Sequence, residues 1–163
     1  MDAHDDNEQC KLVFACAGAA LYQAQILESA VQNLLVVGGI VSGEVASRAE
    51  FEELEAKLRH YTLGRLLQEF RKDADLNRKA EEIINTALDR RNLIAHHFFK
   101  ERAVEFMGRE GRKSMILELA SYENLFIEAE TLITSVSRAM AAHLGITEEK
   151  LKAEFDRLAG QAR

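Results

Sequence analysis

The sequence predicts an all-α fold, a single-domain helical bundle of about five helices. Apolar residues recur at helical spacing along almost the whole chain, and no segment alternates apolar and polar residues for more than a few positions. Proline is absent, and only nine of the 163 residues are glycine. We find no internal repeat and no linker, so one domain is expected to span residues 1–163, with a flexible N-terminus at residues 1–7.

The first predicted helix covers residues 8–37. It is expected to end at the Gly38-Gly39 pair, because glycine readily adopts the left-handed conformation of a helix C-cap. The stretch 12–41 is the most apolar part of the chain, but glutamine, glutamate and asparagine residues interrupt it. We therefore expect a buried helix here and no membrane-spanning segment.

Two shorter helices are expected next. Ser47 and Glu50 have the spacing of a capping box, which predicts a second helix that ends near His60. Thr62 is expected to cap a third helix that reaches about Lys72.

The fourth predicted helix opens at Asp73 or Asp75 and reaches about Phe106. Two glycines within residues 108–113 are then expected to mark a basic loop, because Arg109, Arg112 and Lys113 fall between and after them.

A long helix is expected over residues 114–144. Gly145 should end it, and a short C-terminal helix should follow over residues 147–158. Apolar residues of the long helix alternate at intervals of four and three, which is the heptad spacing of a helix–helix seam. The seam fits self-association and packing within this chain equally well. Its members are Met115, Leu119, Tyr122, Phe126, Ala129, Ile133, Val136 and Met140.

Charge and cysteine content narrow the class of protein. The formal charge is 21 − 27 = −6, which argues against a protein that coats nucleic acid nonspecifically. Tryptophan is absent and aromatic residues make up 7% of the chain, so a stacking platform for single strands is not expected. Cys10 and Cys16 would lie about 9 Å apart along one helix, too far for a disulfide. With an acidic N-terminus unlike a signal peptide, these features predict a cytoplasmic location.

The segment 89–99, DRRNLIAHHFF, is the most informative part of the chain. On a helix, Arg91 falls in the middle of an apolar face, where an unpaired charge costs several kcal/mol. Arg91 is therefore expected to meet a carboxylate, backbone carbonyls or a bound anion. The other members of this face are Ile84, Ala87, Leu88, Ile94, Ala95 and Phe98.

A polar stripe of Asn85, Asp89, Asn92 and His96 lies beside the apolar face. Asp89, Asn92 and His96 follow the spacing i, i+3, i+7, so their side chains can touch. An aspartate or asparagine partner would fix the tautomer of the imidazole. Arg91 and His96 lie about 140° apart around the axis, so a single helix does not aim both at one small ligand. Two copies that face each other across a two-fold axis could bring them together.

The run Arg91-Asn92-Leu93-Ile94-Ala95-His96 resembles the R-x4-6-H motif of HEPN domains, including the polar residue that often follows the arginine. This resemblance implies a small all-α protein that forms a homodimer. It also implies a metal-independent endoribonuclease without cofactors, in which Arg91 and His96 of both copies form one cleft. Arg90 satisfies the spacing to His96 and His97 as well, so either arginine can be the one in the motif.

If the resemblance extends to activity, the reaction is RNA transesterification. His96 would act as general base or general acid, Arg91 would hold the phosphate, and Asn92, Asp89, His97 and Arg90 would support them. The segment 90–113 carries seven cations and three acids, a local charge of 7 − 3 = +4 that could attract RNA. Its candidate phosphate-binding residues outside the motif are Lys100, Arg102, Arg109, Arg112 and Lys113.

Other interpretations remain open at this stage. Arg91 can form a structural ion pair with a glutamate on a neighbouring helix. His97 and Glu101 could supply two metal ligands, but no third or fourth ligand is visible, so no metal site is expected. Some HEPN domains are non-catalytic modules that bind nucleotides or proteins, and several pair with a nucleotidyltransferase antitoxin. The resemblance therefore implies RNA, a cognate antitoxin or another protein as partners.

Overall fold

A computed structural model describes residues 3–73, 76–147 and 149 of the chain. The described residues confirm an all-helical fold and contain seven α-helices, two of which are single turns, where about five were expected. The predicted C-terminal helix lies almost entirely outside the described residues. The helices are α1 (Ala3–Ser42), α2 (Arg48–Leu58), α3 (Leu63–Asp73), α4 (Arg78–His96), α5 (Phe98–Glu101), α6 (Ala103–Met107) and α7 (Arg109–His143).

The two longest helices, α1 and α7, form the centre of the fold. Arg112 near the start of α7 bonds to Gln9 near the start of α1, while Met140 lies beside Gly38 at the other end, so the two helices run parallel. The predicted seam of α7 is confirmed: six of its members are buried, and Val136 and Met140 are partly buried against the core. It packs within this chain, on an α1 seam of Val13, Ala17, Ala20, Ala24, Leu27, Val31 and Leu34.

Helices α3 and α4 cover one side of this pair. Arg91 of α4 lies near Glu28 of α1, and Phe99 of α5 contacts Phe14, so α4 and α5 run antiparallel to α1. The side chain of Gln32 donates to the carbonyl of Leu58, which places the end of α2, just before α3, beside the C-terminal half of α1. The region around Arg91 is therefore bordered by α1.

Helix α1 is longer at both ends than predicted. It begins at Ala3 and passes through Gly38 and Gly39, so the expected boundaries at residues 8 and 37 are wrong. The carbonyl groups of Gly39 and Ile40 accept hydrogen bonds from the N–H groups of Val45 and Gly43, so the helix is closed after Ser42 and not at the glycine pair. The turn is made by Gly43, whose φ of 82° is the left-handed conformation that favours glycine.

The caps of α2 and α3 agree with the sequence. The hydroxyl of Ser47 accepts from the N–H of Glu50, and the Glu50 carboxylate accepts from the N–H of Ser47, so the capping box is confirmed. The hydroxyl of Thr62 accepts from the N–H of Arg65 at the start of α3. The next cap was predicted wrongly: Asp73 ends α3, and Asn77 caps α4 through the N–H of Ala80.

The motif helix also ends earlier than predicted. Helix α4 stops at His96, and His97 has a non-helical backbone with φ −132° and ψ −24°, so a continuous helix to Phe106 is wrong. The chain then turns through α5 and α6 with a second break at Arg102. The break at His97 buries Phe98 while Phe99 stays at the surface.

The predicted basic loop at residues 108–113 is helical. Gly108 is the N-cap of α7, and Arg109 already belongs to the helix. A Cβ atom on Gly111 would lie 2.1 Å from the carbonyl oxygen of Glu105, so α6 and the first turn of α7 approach each other as closely as glycine allows. Gly145, with φ 71°, follows the end of α7 as predicted.

By length and composition, α1 could also cross a membrane. Its segment Asp6–Ser42 reaches a mean hydropathy of 1.4 over its most apolar window, and a core helix satisfies the same test. One side of α1 lies in the core against α7. Only 28% of the apolar window is buried inside the chain, so much of α1 is left uncovered by the described residues.

Candidate functional site

Arg91 meets a carboxylate, which is one of the three alternative partners that its position on an apolar helix face predicts. One guanidinium nitrogen, Nη2, lies 3.8 Å from the Glu28 carboxylate on α1, and the other, Nη1, donates a 3.2 Å hydrogen bond to the amide oxygen of Asn92. Both Arg91 and Glu28 are 27% exposed at the side chain. The contact to Glu28 is an ion pair longer than a hydrogen bond, so the guanidinium keeps donors that an incoming anion could use.

The predicted apolar face around Arg91 is only partly buried. Ile84, Ala87 and Ile94 are buried as expected, whereas Ala95 is exposed. Ala95 is open because α3 packs against the earlier turns of α4, where its Gly64 lies beside Leu88. The last turn of α4 therefore has an uncovered side.

The polar stripe lies at the surface. Asn85 binds Arg71 of α3, while Asp89, Asn92 and His96 are exposed. Among the described residues, no hydrogen bond joins Asp89, Asn92 and His96 to one another. Their spacing allows contact, but these side chains do not form the predicted hydrogen-bonded group in this conformation.

The two motif histidines sit at the end of α4. Both His96 and His97 are exposed, and their rings meet edge to face with centroids 6.0 Å apart. In the described part of the chain, no hydrogen bond, ion pair or ring contact links His96 to Arg91. One copy therefore presents an accessible imidazole and a separate, half-buried guanidinium.

Arg90 and Arg91 point to different neighbours. The guanidinium of Arg90 lies 5.4 Å from the ring centroid of Tyr122 on α7, whereas Arg91 lies near Glu28 on α1. Tyr122 belongs to a polar cluster with Glu118 and Arg102: the tyrosine hydroxyl donates to Glu118, and Arg102 donates to both carboxylate oxygens at 2.8 and 3.0 Å. The cluster fixes the turn after α5 to α7.

Protonation in this cluster is shifted by its own contacts. The hydrogen bonds from Arg102 lower the pKa of Glu118 below its usual range, and the Tyr122 hydroxyl adds to this effect against the opposing influence of burial. Burial, followed by the bond to Glu118, raises the pKa of Tyr122 to about 12. At neutral pH the cluster therefore holds an ionised carboxylate and a neutral phenol.

Glu118 should make stability depend on pH. Because its pKa is lower in the folded than in the unfolded state, its contribution is complete above the unfolded value of about 4.3 and is lost as the pH falls through the folded value. We expect Glu118→Gln to be less stable than wild type at pH 7, with a difference that shrinks toward pH 3. Urea unfolding at several pH values measures this. Glu128→Gln, an exposed position on α7, should show no such trend.

The candidate phosphate-binding cations are divided between the surface and the interior. Lys100, Arg109 and Lys113 are exposed, and Lys113 forms a 2.7 Å pair with Glu110. Arg102 is bound to Glu118 in the polar cluster. Arg112 is buried.

Arg112 is a structural centre of the fold. Only 5% of its side chain is exposed, and it binds Asp6 and Gln9 of α1 together with the carbonyl oxygens of Phe106 and Met107. These contacts join the beginnings of α1 and α7 and the end of α6. This arginine, which the sequence predicts as a phosphate-binding residue in a basic loop, is the only buried charged residue in the described part of the chain.

A cleft of about 670 Å³ lies elsewhere, at the C-terminal ends of α1 and α7. Apolar side chains such as Leu34, Leu58, Phe70 and Met140 line it, and no arginine or histidine does. The cleft offers no group of the kind that the motif predicts for phosphate chemistry.

Two acidic residues were missed by the sequence analysis. Glu28 and Glu118 lie on α1 and α7, and both hold arginines of the 89–102 region. Glu118 could have been found, because it precedes the seam residue Tyr122 by four positions and so shares its face. Glu28 gives no such local signal.

Among the described residues, no three histidine, cysteine, aspartate or glutamate side chains come close enough to hold one metal ion. Cys10 and Cys16 are free, as expected, but only partly buried, and burial raises the pKa of the Cys16 thiol. No protein-family model, curated protein or solved structure matches the chain.

Proposed function

We propose that this chain is a HEPN-like, metal-independent endoribonuclease that acts as a homodimer, with Arg91 and His96 as its catalytic pair. The observation that carries the proposal is the exposure of these two side chains and the weakness of their contacts with other residues. His96 is exposed and forms no salt bridge with any residue that the structure describes, while Arg91, on the same helix, has Glu28 of α1 as a carboxylate partner only at 3.8 Å. Sealed, fully paired groups would instead fit a purely structural role.

The proposed reaction is transesterification within RNA. His96 of one copy takes the proton of a ribose 2′-hydroxyl, whose oxygen forms a bond to phosphorus as the bond to the 5′ oxygen breaks. Protonated His96 of the other copy gives a proton to that leaving oxygen. The products are a 2′,3′-cyclic phosphate and a 5′-hydroxyl end.

Arg91 would bind the phosphate whose charge increases in the transition state. Its planar donors match the phosphate oxygens, and Glu28 and Asn92 hold the guanidinium near the last turn of α4 until a phosphate replaces the carboxylate as its partner. Two copies are required because Arg91 and His96 project in directions about 140° apart on one helix.

Cleavage of cellular RNA in EDTA tests the proposal. Wild type should cleave, and His96→Ala should lose about 10²–10⁴ of the rate, the usual range for a general acid or base. Arg91→Ala should lose about 10²–10³, as for other groups that stabilise transition-state charge. Because His96 is exposed, its variant should fold normally, as circular dichroism can verify.

Matched controls are His60→Ala and Arg59→Ala, both exposed and next to each other beyond the end of α2. They remove the same side chains and should cleave at the wild-type rate. A folded wild-type dimer that leaves RNA intact would contradict the proposal. It would favour the second candidate, a non-catalytic binding module, which the exposed Phe14 and Phe99 beside α4 also suit.

A further inference from the structure

Exposed aromatic side chains mark the side of α1 that faces away from α7. Phe14 is 55% exposed and Tyr22 is 64% exposed. The ring of Phe14 contacts Phe99, which is itself exposed, at 5.3 Å between centroids. Ala15 and Gly18 are exposed between the two α1 aromatics. We call Phe14, Ala15, Gly18, Tyr22 and Phe99 the outer face.

The described chain leaves this outer face without cover. The end of α2 lies beside the C-terminal half of α1, where Gln32 reaches the carbonyl of Leu58. Farther toward the N-terminus, a Cβ atom added to Gly18 would meet no heavy atom within 4 Å. Only 28% of the apolar window of α1 is buried within the chain, and contiguous apolar surface that stays exposed is typical of an interaction site.

We propose that a second copy of this chain covers the outer face, with the two α1 helices antiparallel about a two-fold axis near Gly18. The inference rests on the proposed function, which requires two copies, and it names the surface that joins them. The sizes of the side chains fit this symmetry. An axis between Gly18 and Ala19 places the large Tyr22 of each copy opposite the small Ala15 of the other.

Charges at the margins of the outer face are balanced. Lys11 pairs with Glu8 at 2.8 Å at one end, and Arg91 lies 3.8 Å from Glu28 at the other. The antiparallel arrangement places Lys11 of each copy near the level of Glu28 of the other, so opposite charges face each other across the contact. A nucleic-acid backbone would meet as many carboxylates as cations along this face, so the face gives it no net attraction.

A lipid surface is also a poorer match for the outer face. Gln25 and Ser29 follow Tyr22 on the same exposed side of α1, and both are polar. Polar groups at this spacing can bond across a protein interface, whereas the interior of a bilayer gives them no partner. The mixed composition favours a protein partner.

The proposed contact also places the motif helices of the two copies at one edge of the dimer. Because α4 and α5 run antiparallel to α1, the stretch from Arg91 to Phe99 follows α1 from Glu28 to Phe14. His96 lies within that stretch, and Ala95 and Asn92 are exposed near it. A second copy on the outer face would bring its own motif helix to the same edge by symmetry.

Sedimentation equilibrium of the full chain tests whether two copies associate through the outer face. Wild type should have twice the 18.3 kDa mass of one chain. Gly18→Glu should fold normally, because the space beside Gly18 is open, and should weaken association by about 100-fold or more, since it places two like charges at the axis. Tyr22→Glu should do the same. Leu117→Glu, at an exposed position on α7, should leave the dimer intact.

The outcomes separate this inference from the proposed function. A dimer that survives both Gly18→Glu and Tyr22→Glu would overturn the outer face as the dimer surface and leave the proposed function standing. A wild type that stays monomeric at 100-fold the concentration used for cleavage would overturn both. RNA cleavage is measured in a separate assay. A dimer that the two substitutions dissociate supports the outer face even if the wild type cleaves no RNA.

Discussion

Phe126→Ala should lower the free energy of unfolding by about 4 kcal/mol. Phe126 is fully buried at the middle of the α7 seam, and removal of a large core side chain costs the transfer free energy of its atoms together with the cavity left behind. The α1–α7 contact has few ways to collapse around this cavity, because both helices are long and rigid. Urea unfolding monitored by circular dichroism measures the change.

The neighbouring residue provides a matched control. Ile127 is 42% exposed on the same turn of α7, so Ile127→Ala should cost less than about 1 kcal/mol. Equal losses for Phe126→Ala and Ile127→Ala would show that α7 does not pack on α1 through the described seam.

Arg112→Ala should destabilise the protein by about 3 kcal/mol. The substitution leaves the carbonyl oxygens of Phe106 and Met107 without their donor, and a buried polar group that loses its partner costs about 1–3 kcal/mol. It also removes the link to Asp6, whose carboxylate is partly exposed and can be hydrated. Thermal and urea unfolding both measure the effect.

Lys113→Ala is the control for Arg112→Ala, because this adjacent cation pairs only with Glu110 at the surface. Its removal should change stability by less than about 0.5 kcal/mol. Arg112→Lys should recover only part of the loss, since one ammonium group cannot reproduce the fork of donors that the guanidinium offers. A stable Arg112→Ala variant would mean that the carbonyl groups are satisfied in another way.

Helix content and the α7 seam could be predicted because they depend on local spacing. The helix that packs on this seam could not be predicted. A heptad pattern requires only a partner helix with a matching apolar stripe, and a second copy of α7 would offer one through the same residues. The break at His97 has no local signal either, since neither glycine nor proline stands there. It depends on the burial of Phe98, a tertiary contact.

Arg112 was expected in a basic loop, as a candidate phosphate-binding residue, although the sequence held a contrary signal. Counting back from Met115 by the three-residue interval of the seam gives position 112, so the seam continues into an arginine. The cluster of cations between glycines predicts a loop, whereas the periodicity of the seam predicts a position on the buried face of the helix. For Arg91, helical periodicity correctly predicted that the side chain needs a partner. It could not predict which of the 27 acidic residues that partner is, because only the three-dimensional arrangement brings Glu28 close.

The parallel pairing of α1 and α7 affects how the protein is made on the ribosome. Helix α1 is complete at Ser42, but its main partner extends to His143, about 100 residues later. At a synthesis rate of about 5–20 residues per second, the apolar side of α1 stays exposed for about 5–20 s before α7 is complete. During synthesis this nascent helix is therefore a target for chaperones that bind apolar segments, and native contacts of such high sequence separation favour slow folding.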